Sequence, residues 1–281
     1  MPPYGEIHAP GKLVLLGEDA VLDGAPALVI AINRGVRCTV MPGHGIETPD
    51  GDTRFVAPAL TDTAAARYVF RSWNPVDLPG KPGFGGSAAA CVAACVAAGR
   101  PPHDAFAIHH TVQGSGSGID IAASIHGGTM RFENRVVTPQ PDVLPVVIWS
   151  GQSAKTGPRV ERYRSWSNDR QRQRFIDRSA QAVAHVHVDP VAAFADNWAA
   201  LKDMAISANV PYTTPALTAI SALASRFGGA AKPSGAGGGD CAVAVFDDPD
   251  RQHAFEAACD ENGWTRIPIV IADGARRVPL R

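Results

Sequence analysis

Residues 80 to 99 read GKPGFGGSAAACVAACVAAG, a glycine loop that runs without a break into an almost pure stretch of Ala, Val and Cys. Alanine is the strongest helix former, and side chains this small let a helix press closely on its neighbours. The stretch predicts a helix over 87–98, stopped by Gly99, Pro101 and Pro102. The loop glycines then lie at a helix N-terminus, where the first amide groups lack internal partners and the dipole is positive. Glycine lets backbone wrap an anion with no side chain in the way, while Lys81 adds a charge and Ser87 a hydroxyl. That makes a competent polyphosphate cradle; a glycine-rich helix start with no ligand is the plainer alternative.

Two more bare stretches share the chain: GSGSGID at 114–120 and KPSGAGGGDC at 232–241. The first pairs a pliable loop with the carboxylate of Asp120, either a helix cap or a group that orients or deprotonates a hydroxyl. Within the second, SGAGGGD has no compensating side chains, so its glycines predict close backbone approach to something, with Asp240 as a turn acid. Lys12, between Gly11 and the apolar run LVLL, is by itself a solvated lysine.

Around these loops, 12–16 and 26–40 are apolar and β-branched and predict strands, with weaker strands at 53–58 and 67–73. Helices are expected at 103–112 and 118–126, then strands near 127–134 and 144–150. From 159 to 188 the texture becomes charged and helical, and helices follow at 190–208 and 214–227. The end reads as strand 241–246, helix 249–262 and strand 265–271. This irregular order predicts an α+β fold rather than a doubly wound sheet. The texture change suggests two domains, 1–157 and 158–281. No G-x-G-x-x-G follows a strand with an acid some 20 residues on, and there is no G-x-x-x-x-G-K-[ST] loop, so Rossmann and P-loop readings fall away.

With 26 basic and 27 acidic residues, a net charge of −1 gives no general pull toward nucleic acid or an acidic membrane. Any affinity for anions has to be local. The five cysteines form no CxxC pair and lie mostly in apolar contexts, which predicts buried thiols and no zinc site. His109 and His110 point to different faces of a helix and are poorly placed to share one ion. Tyr163, Trp166 and Trp198 could stack on a base, but packing is the expected role. No stretch nears the roughly 20 apolar residues of a membrane span, and the first residues lack a signal peptide's basic and apolar regions. A cytoplasmic protein, monomer or homodimer, is expected.

The ordered set PGKLVLLGEDAVLDGAPAL (10–28), KPGFGGSAAA (81–90) and KPSGAGGGDCAVAV (232–245) resembles the three motifs of the GHMP small-molecule kinases. The resemblance covers nearly the whole chain. It implies a ribosomal-protein-S5-like N-terminal domain and a ferredoxin-like C-terminal domain, with ATP and Mg²⁺ between them. Lys81, GEDAVLDGAPAL and the VVIWSGQSAKTGPRV segment (146–160) are most similar to phosphomevalonate kinases, with mevalonate kinases next. Two departures stand out: Gly86 replaces the first serine of the usual GLGSSA, and Asp19 replaces the aromatic or His after the first motif's glutamate.

The resemblance implies γ-phosphoryl transfer from MgATP to 5-phosphomevalonate. Mevalonate or another small alcohol is the alternative acceptor, and a non-catalytic metabolite-binding homologue the alternative from another class. Asp120 is expected to orient the acceptor or take its proton, and Lys12 to stabilise the transferring group. Lys81, Gly83, Gly85, Gly86, Ser87 and Ala88 are expected around the nucleotide phosphates, with Ser87 also on the metal. Ser153, Lys155, Thr156, Arg159, Ser234, Gly235, Ala236 and Gly237 are expected around the acceptor, the cations answering its phosphate.

Overall fold

The structure is a computed structural model that describes residues 4–61 and 66–278. In chain order its strands are β1 (Gly5–Leu16), β2 (Ala27–Pro42), β3 (Gly45–Glu47) and β4 (Ala66–Trp73), followed by helices α1 (Gly86–Ala97), α2 (Asp104–Gln113) and α3 (Ile119–His126). Then come β5 (Thr129–Glu133), β6 (Val136–Pro139) and β7 (Val146–Trp149), and helices α4 (Thr156–Arg164), α5 (Asp169–His185), α6 (Pro190–Ser207) and α7 (Pro215–Arg226). The chain closes with β8 (Ala230–Pro233), β9 (Cys241–Val245), α8 (Pro249–Glu261) and β10 (Arg276–Val278).

These elements form an α+β fold built on two sheets. The long apolar runs of β1 and β2 pair antiparallel and make the spine of the first sheet. One half of β2 then pairs with β4 and the other with β5, so one strand supports two neighbours along its length. The alanine-rich α1 packs against this sheet. Its Ala88, Cys91, Val92 and Cys95 share a core with Ile7, Cys38, Tyr68 and Phe70.

The second sheet has the order β7-β9-β8, antiparallel throughout. In β9, CAVAV, successive side chains face opposite sides. Cys241, Val243 and Val245 pack with Leu13, Leu15, Leu28 and Ile30 of the first sheet, while Ala242 and Ala244 pack with Leu217 and Ile220 of α7 and Phe255 of α8. All five cysteines are free and buried. Tyr163, Trp166 and Trp198 are core residues. Among the described residues no helix is long and apolar enough to cross a membrane.

Three expectations need correction. Residues 53–58 are turns leading into a short 3₁₀ helix (Ala57–Ala59), not a strand. The stretch 265–271 is extended but makes only isolated bridges, Arg266 with Ile148 and Ile271 with Ile32, because it crosses from one sheet to the other. A single cut at 157/158 does not separate the sheets: β7 belongs to the second sheet, and β10 returns to the outer edge of β1.

The two halves are joined by a buried ion pair. Lys232, at the end of β8, bonds Glu18 just after β1, and both side chains are almost fully buried. Asn197 of α6 donates to the other Glu18 oxygen at 3.0 Å, and the ammonium also donates to the Pro233 carbonyl at 2.9 Å. Burial pushes the Glu18 carboxyl up and the Lys232 ammonium down, and their contact opposes both shifts. Removing one partner leaves the other buried and uncompensated, at a cost of about 3–5 kcal/mol. Lys232→Met should therefore lower the unfolding free energy by about that much, measured by urea denaturation. The double substitution Lys232→Met, Glu18→Leu should recover a large part of the loss.

Candidate active site

The loop before α1 forms one wall of the site. Gly85 is the N-cap of α1 with φ of 74°, a left-handed conformation that glycine adopts without strain, and no side chain caps the helix. The first amides of α1 are left without a capping side chain at the positive end of the helix dipole. A side chain at Gly86 would meet nothing within 4 Å, so the cradle opens there.

Lys12 and Asp120 converge on this loop. The Lys12 backbone N–H donates to the Phe84 carbonyl at 2.9 Å, which fixes the loop against β1. Its ammonium donates to the Gly83 carbonyl at 3.4 Å and lies 3.5 Å from Asp120 Oδ1. Asp120, in the first turn of α3, places Oδ2 3.2 Å from where a Cβ on Gly85 would be. Lys12 is buried while Asp120 is partly open to solvent.

The third glycine stretch forms the opposite wall. Asp240 is a knot among three loops: its Oδ1 accepts from the Ala154 N–H at 2.8 Å, and its Oδ2 leans against Gly83, where even a methyl group would collide. Burial raises its pKa, opposed by the Ala154 bond and by the charges of Lys12 and Arg159. Tyr212 holds the loop from behind by donating to the Gly235 carbonyl at 2.6 Å. Gly235 faces the Lys12 ammonium.

The structure thus brings together Lys12, Asp120, Gly83, Gly85, Gly86, Gly235 and the neighbouring backbone. Other expected residues lie elsewhere or are already engaged. Lys81 turns away: its side chain is 89% exposed and lies 3.5 Å from Asp50. Ser234 is a staple, its hydroxyl donating to the Val14 carbonyl and accepting from the Val14 N–H, each at 3.0 Å. Ser153 donates to the Lys81 carbonyl at 2.9 Å. Ala88 is buried in the core behind the loop. Gly237 packs on Tyr212, with Ala236 beside it. Arg159 donates to the carbonyls of Lys155 (2.7 Å), Pro211 (3.2 Å) and Gly238 (3.4 Å), so most of its fork braces the loop. Lys155 and Thr156 are exposed at the start of α4.

Two residues that the sequence gave little reason to choose stand at the site. His109 lies 3.1 Å from the Ser87 hydroxyl; burial lowers its pKa, with Asp120 pulling the other way. Only the tertiary fold joins the two, since they are 22 residues apart. Asp19 is the other. Its side chain is buried, Oδ2 has no hydrogen-bond partner, and burial together with the Glu18 charge pushes its pKa up to about 7. Its departure from the usual motif residue was the one signal available.

Residues 192–263 match the family described as GHMP kinases C terminal. A phosphomevalonate kinase of Streptomyces sp. (strain CL190) is 26% identical, over 85% of this chain and 89% of the relative. A mevalonate kinase of Aeropyrum pernix is 23% identical, over 95% and 96%. In fold, the chain is similar to the Lin0012 protein from Listeria innocua, with a TM-score of 0.86 at 21% identity, covering 97% of this chain and 99% of that one. Streptococcus pneumoniae phosphomevalonate kinase, solved with phosphomevalonate and AMPPNP, has a TM-score of 0.73 at 16% identity, with 97% and 99% covered.

Asp19 generates a pH prediction. Its carboxyl titrates at about 7 when folded, against a reference value of 3.8, so between these values the folded chain holds a proton that the unfolded chain has released. Stability linked to this group is therefore fully present below the lower value and is lost as pH rises through the upper one. Asp19→Asn keeps the shape and removes the titration. Its stability relative to the parent should rise between pH 5 and pH 8, by on the order of 1–4 kcal/mol, as read from denaturation midpoints across that range.

Proposed function

We propose that this chain, whose residues 192–263 match the GHMP kinase C-terminal family and whose fold is similar to that of mevalonate and phosphomevalonate kinases, transfers the γ-phosphoryl group of MgATP to a mevalonate-pathway acceptor, with 5-phosphomevalonate the preferred one. The observation that carries the reading is the Lys12–Asp120 pair at the mouth of the uncapped α1 N-terminus. Phosphoryl transfer needs positioned charge more than covalent chemistry, and this arrangement offers both parts. The amides of Gly85 to Ser87 face the nucleotide phosphates. Asp120 orients the acceptor oxygen and takes its proton where it carries one, and Lys12 neutralises charge as the new O–P bond forms and the bond to the ADP oxygen breaks.

Magnesium enters this reading with the nucleotide. Among the described residues no three His, Cys, Asp or Glu side chains are grouped to hold a metal themselves. The Ser87 hydroxyl is the protein ligand we assign to the cation, which commonly keeps phosphate oxygens and waters as its other ligands.

The choice of acceptor rests on the VVIWSGQSAKTGPRV and GEDAVLDGAPAL segments and on the Streptomyces relative. With Lys81 turned away and Arg159 bracing the loop, the acceptor phosphate falls to Lys155, Thr156 and the first amides of α4, which no side chain caps. Mevalonate is the second reading, favoured by relatives such as the Aeropyrum enzyme.

Lys12→Met and Asp120→Asn should each lower turnover by about 10²-fold or more while changing substrate affinity less, measured as ADP release under saturating MgATP. Gly85→Val should abolish the rise in Tm that MgATP produces in the parent. A panel of 5-phosphomevalonate, mevalonate, homoserine and galactose decides the acceptor. Preference for mevalonate would overturn the choice of acceptor and leave the kinase reading standing; MgATP binding with no acceptor-dependent ADP release would favour a non-catalytic binding protein.

A further inference from the structure

Helices α6 and α7 stand apart over β8, and a cavity of about 340 Å³ lies between them. The volume falls at the low end of the ~300–1,000 Å³ typical of small-molecule sites. Trp198 and Lys202, one turn apart on α6, form one wall, and Ala230 and Ala231 of β8 form the floor. Thr218, Ser221 and Ala222 of α7 form the other wall. The opposite face of α7 sends Leu217, Ile220 and Leu223 into the core. An outward helix face normally carries charge, yet in α7 the only charged residue is its last, Arg226. The face that α7 turns to the cavity is therefore small and hydroxylated.

The polar groups at this cavity are uncommitted. Among the described residues, the Lys202 ammonium meets no carboxylate, and the hydroxyls of Thr218 and Ser221 make no hydrogen bond. Lys12, Lys81 and Lys232 each lie beside a carboxylate. The acid next to Lys202 in sequence, Asp203, is held by Arg178 at 2.7 Å. The Lys202 ammonium instead sits 5.5 Å from the centre of the Trp198 ring, a contact that steadies a long side chain without neutralising it. An ammonium with two free hydroxyls suits an anionic head, and an indole with alanine side chains beside it suits an apolar body.

The wall and floor of the cavity also support the glycine loop 233–240. Trp198 packs on Tyr212 with ring centres 6.3 Å apart, and the Tyr212 hydroxyl donates to the Gly235 carbonyl at 2.6 Å. Asn197, the neighbour of Trp198 on α6, donates to Glu18. Ala231 is followed by Lys232, whose ammonium meets the same carboxylate. A ligand that displaces Trp198 or β8 therefore acts on groups already bonded to the loop or to its anchor.

We propose that this cavity is a second ligand site, apart from the candidate active site, that takes a small organic anion: one carboxylate or phosphate head on a short apolar body. Its occupation shifts the glycine loop 233–240, which makes the two sites coupled. The inference goes beyond the kinase reading and does not rest on it.

The test titrates benzoate and phenyl phosphate into the full chain, with benzamide as the uncharged counterpart, and follows backbone amide resonances by NMR. The anions should shift the Ser221 and Ala231 amides saturably, and benzamide should bind about 10-fold more weakly or worse, the scale of one lost charge-assisted hydrogen bond. The tighter of the two anions identifies the head. Lys202→Met should weaken both anions by a similar factor and leave benzamide unchanged; its Tm should match the parent's, because Lys202 is exposed. Ala222→Trp, on the exposed face of α7, should fill the cavity and abolish binding. Coupling should appear as shifts of the Gly235 and Gly238 amides with the same midpoint, absent from Ala222→Trp. No saturable shift at Ser221 and Ala231, equal binding of benzamide, or unchanged affinity in Lys202→Met overturns the site. Binding that leaves Gly235 and Gly238 unmoved overturns the coupling. Dimers that Ala222→Trp dissociates, with no probe bound to the parent, assign this face to a second copy of the chain and overturn the ligand site. None of these readouts uses turnover, so failure here and failure of the kinase reading are distinguishable.

Discussion

The buried Glu18–Lys232 pair is the contact on which the site's assembly depends. Its members are 214 residues apart, one just after the first strand of the chain and one at the entrance to the last glycine loop. Once that pair is fixed, the segment 233–240 has to run beside the end of β1. The Ser234 hydroxyl then finds both backbone groups of Val14, and Gly235 comes to face the Lys12 ammonium. An ion pair this deep adds little net stability over apolar packing, because desolvation offsets most of the attraction. What it contributes here is register. An apolar pair could slide along the interface between the sheets, whereas a carboxylate held by Lys232 and Asn197 has one position.

Charge within the cleft is distributed in a way that composition conceals. Asp120 and Asp240 both approach it, while Lys81 points outward to Asp50 and Arg159 is bonded to carbonyls. On the proposed reading, a bound polyphosphate would depend on the α1 N-terminus, on Lys12 and on its own cation. The acids contribute in other ways. Asp240 is buried against the Ala154 amide and locks three loops, a structural use of a carboxylate. Asp120 stays partly exposed next to Lys12, in a position to meet a substrate. The same residue type thus has two uses, separated by burial and by what occupies its oxygens.

How much of this could be read from the sequence follows from which forces act locally. The long strands, α1 and the glycine loops were legible, because apolar periodicity, alanine content and Gly φ freedom are properties of a few consecutive residues. The short strands Ala230–Pro233 and Arg276–Val278 were not, since each exists only because a partner from far along the chain lies beside it. The direction of Lys81 was equally hidden: motif position suggested an inward ammonium, but a long exposed side chain follows its nearest carboxylate. Ser234 looked like a substrate donor and became a staple, and His109 looked like a bystander and reached Ser87. In each case the residue type was informative and its partner was not.

The placement of Lys12 shows how a local irregularity carries long-range consequences. The β1–β2 ladder shifts register between Pro10 and Gly11, one residue before the lysine. At Gly11 a Cβ would sit 2.2 Å from the Arg34 carbonyl oxygen and 2.6 Å from that of Phe84, so only glycine admits both strands and the loop at that point. The shift lets the Phe84 carbonyl take the Lys12 N–H, which a continuous ladder would direct to a strand neighbour. The loop is thereby bonded to the sheet at the residue whose side chain bridges Gly83 and Asp120. The small residues of α1 complete the arrangement, because a helix of alanine and cysteine can lie close enough to β1 for its N-terminus to open beside Lys12. The alanine-rich helix and a glycine with no room for a Cβ thus serve one purpose: holding a cation and a helix terminus together at the mouth of the cleft.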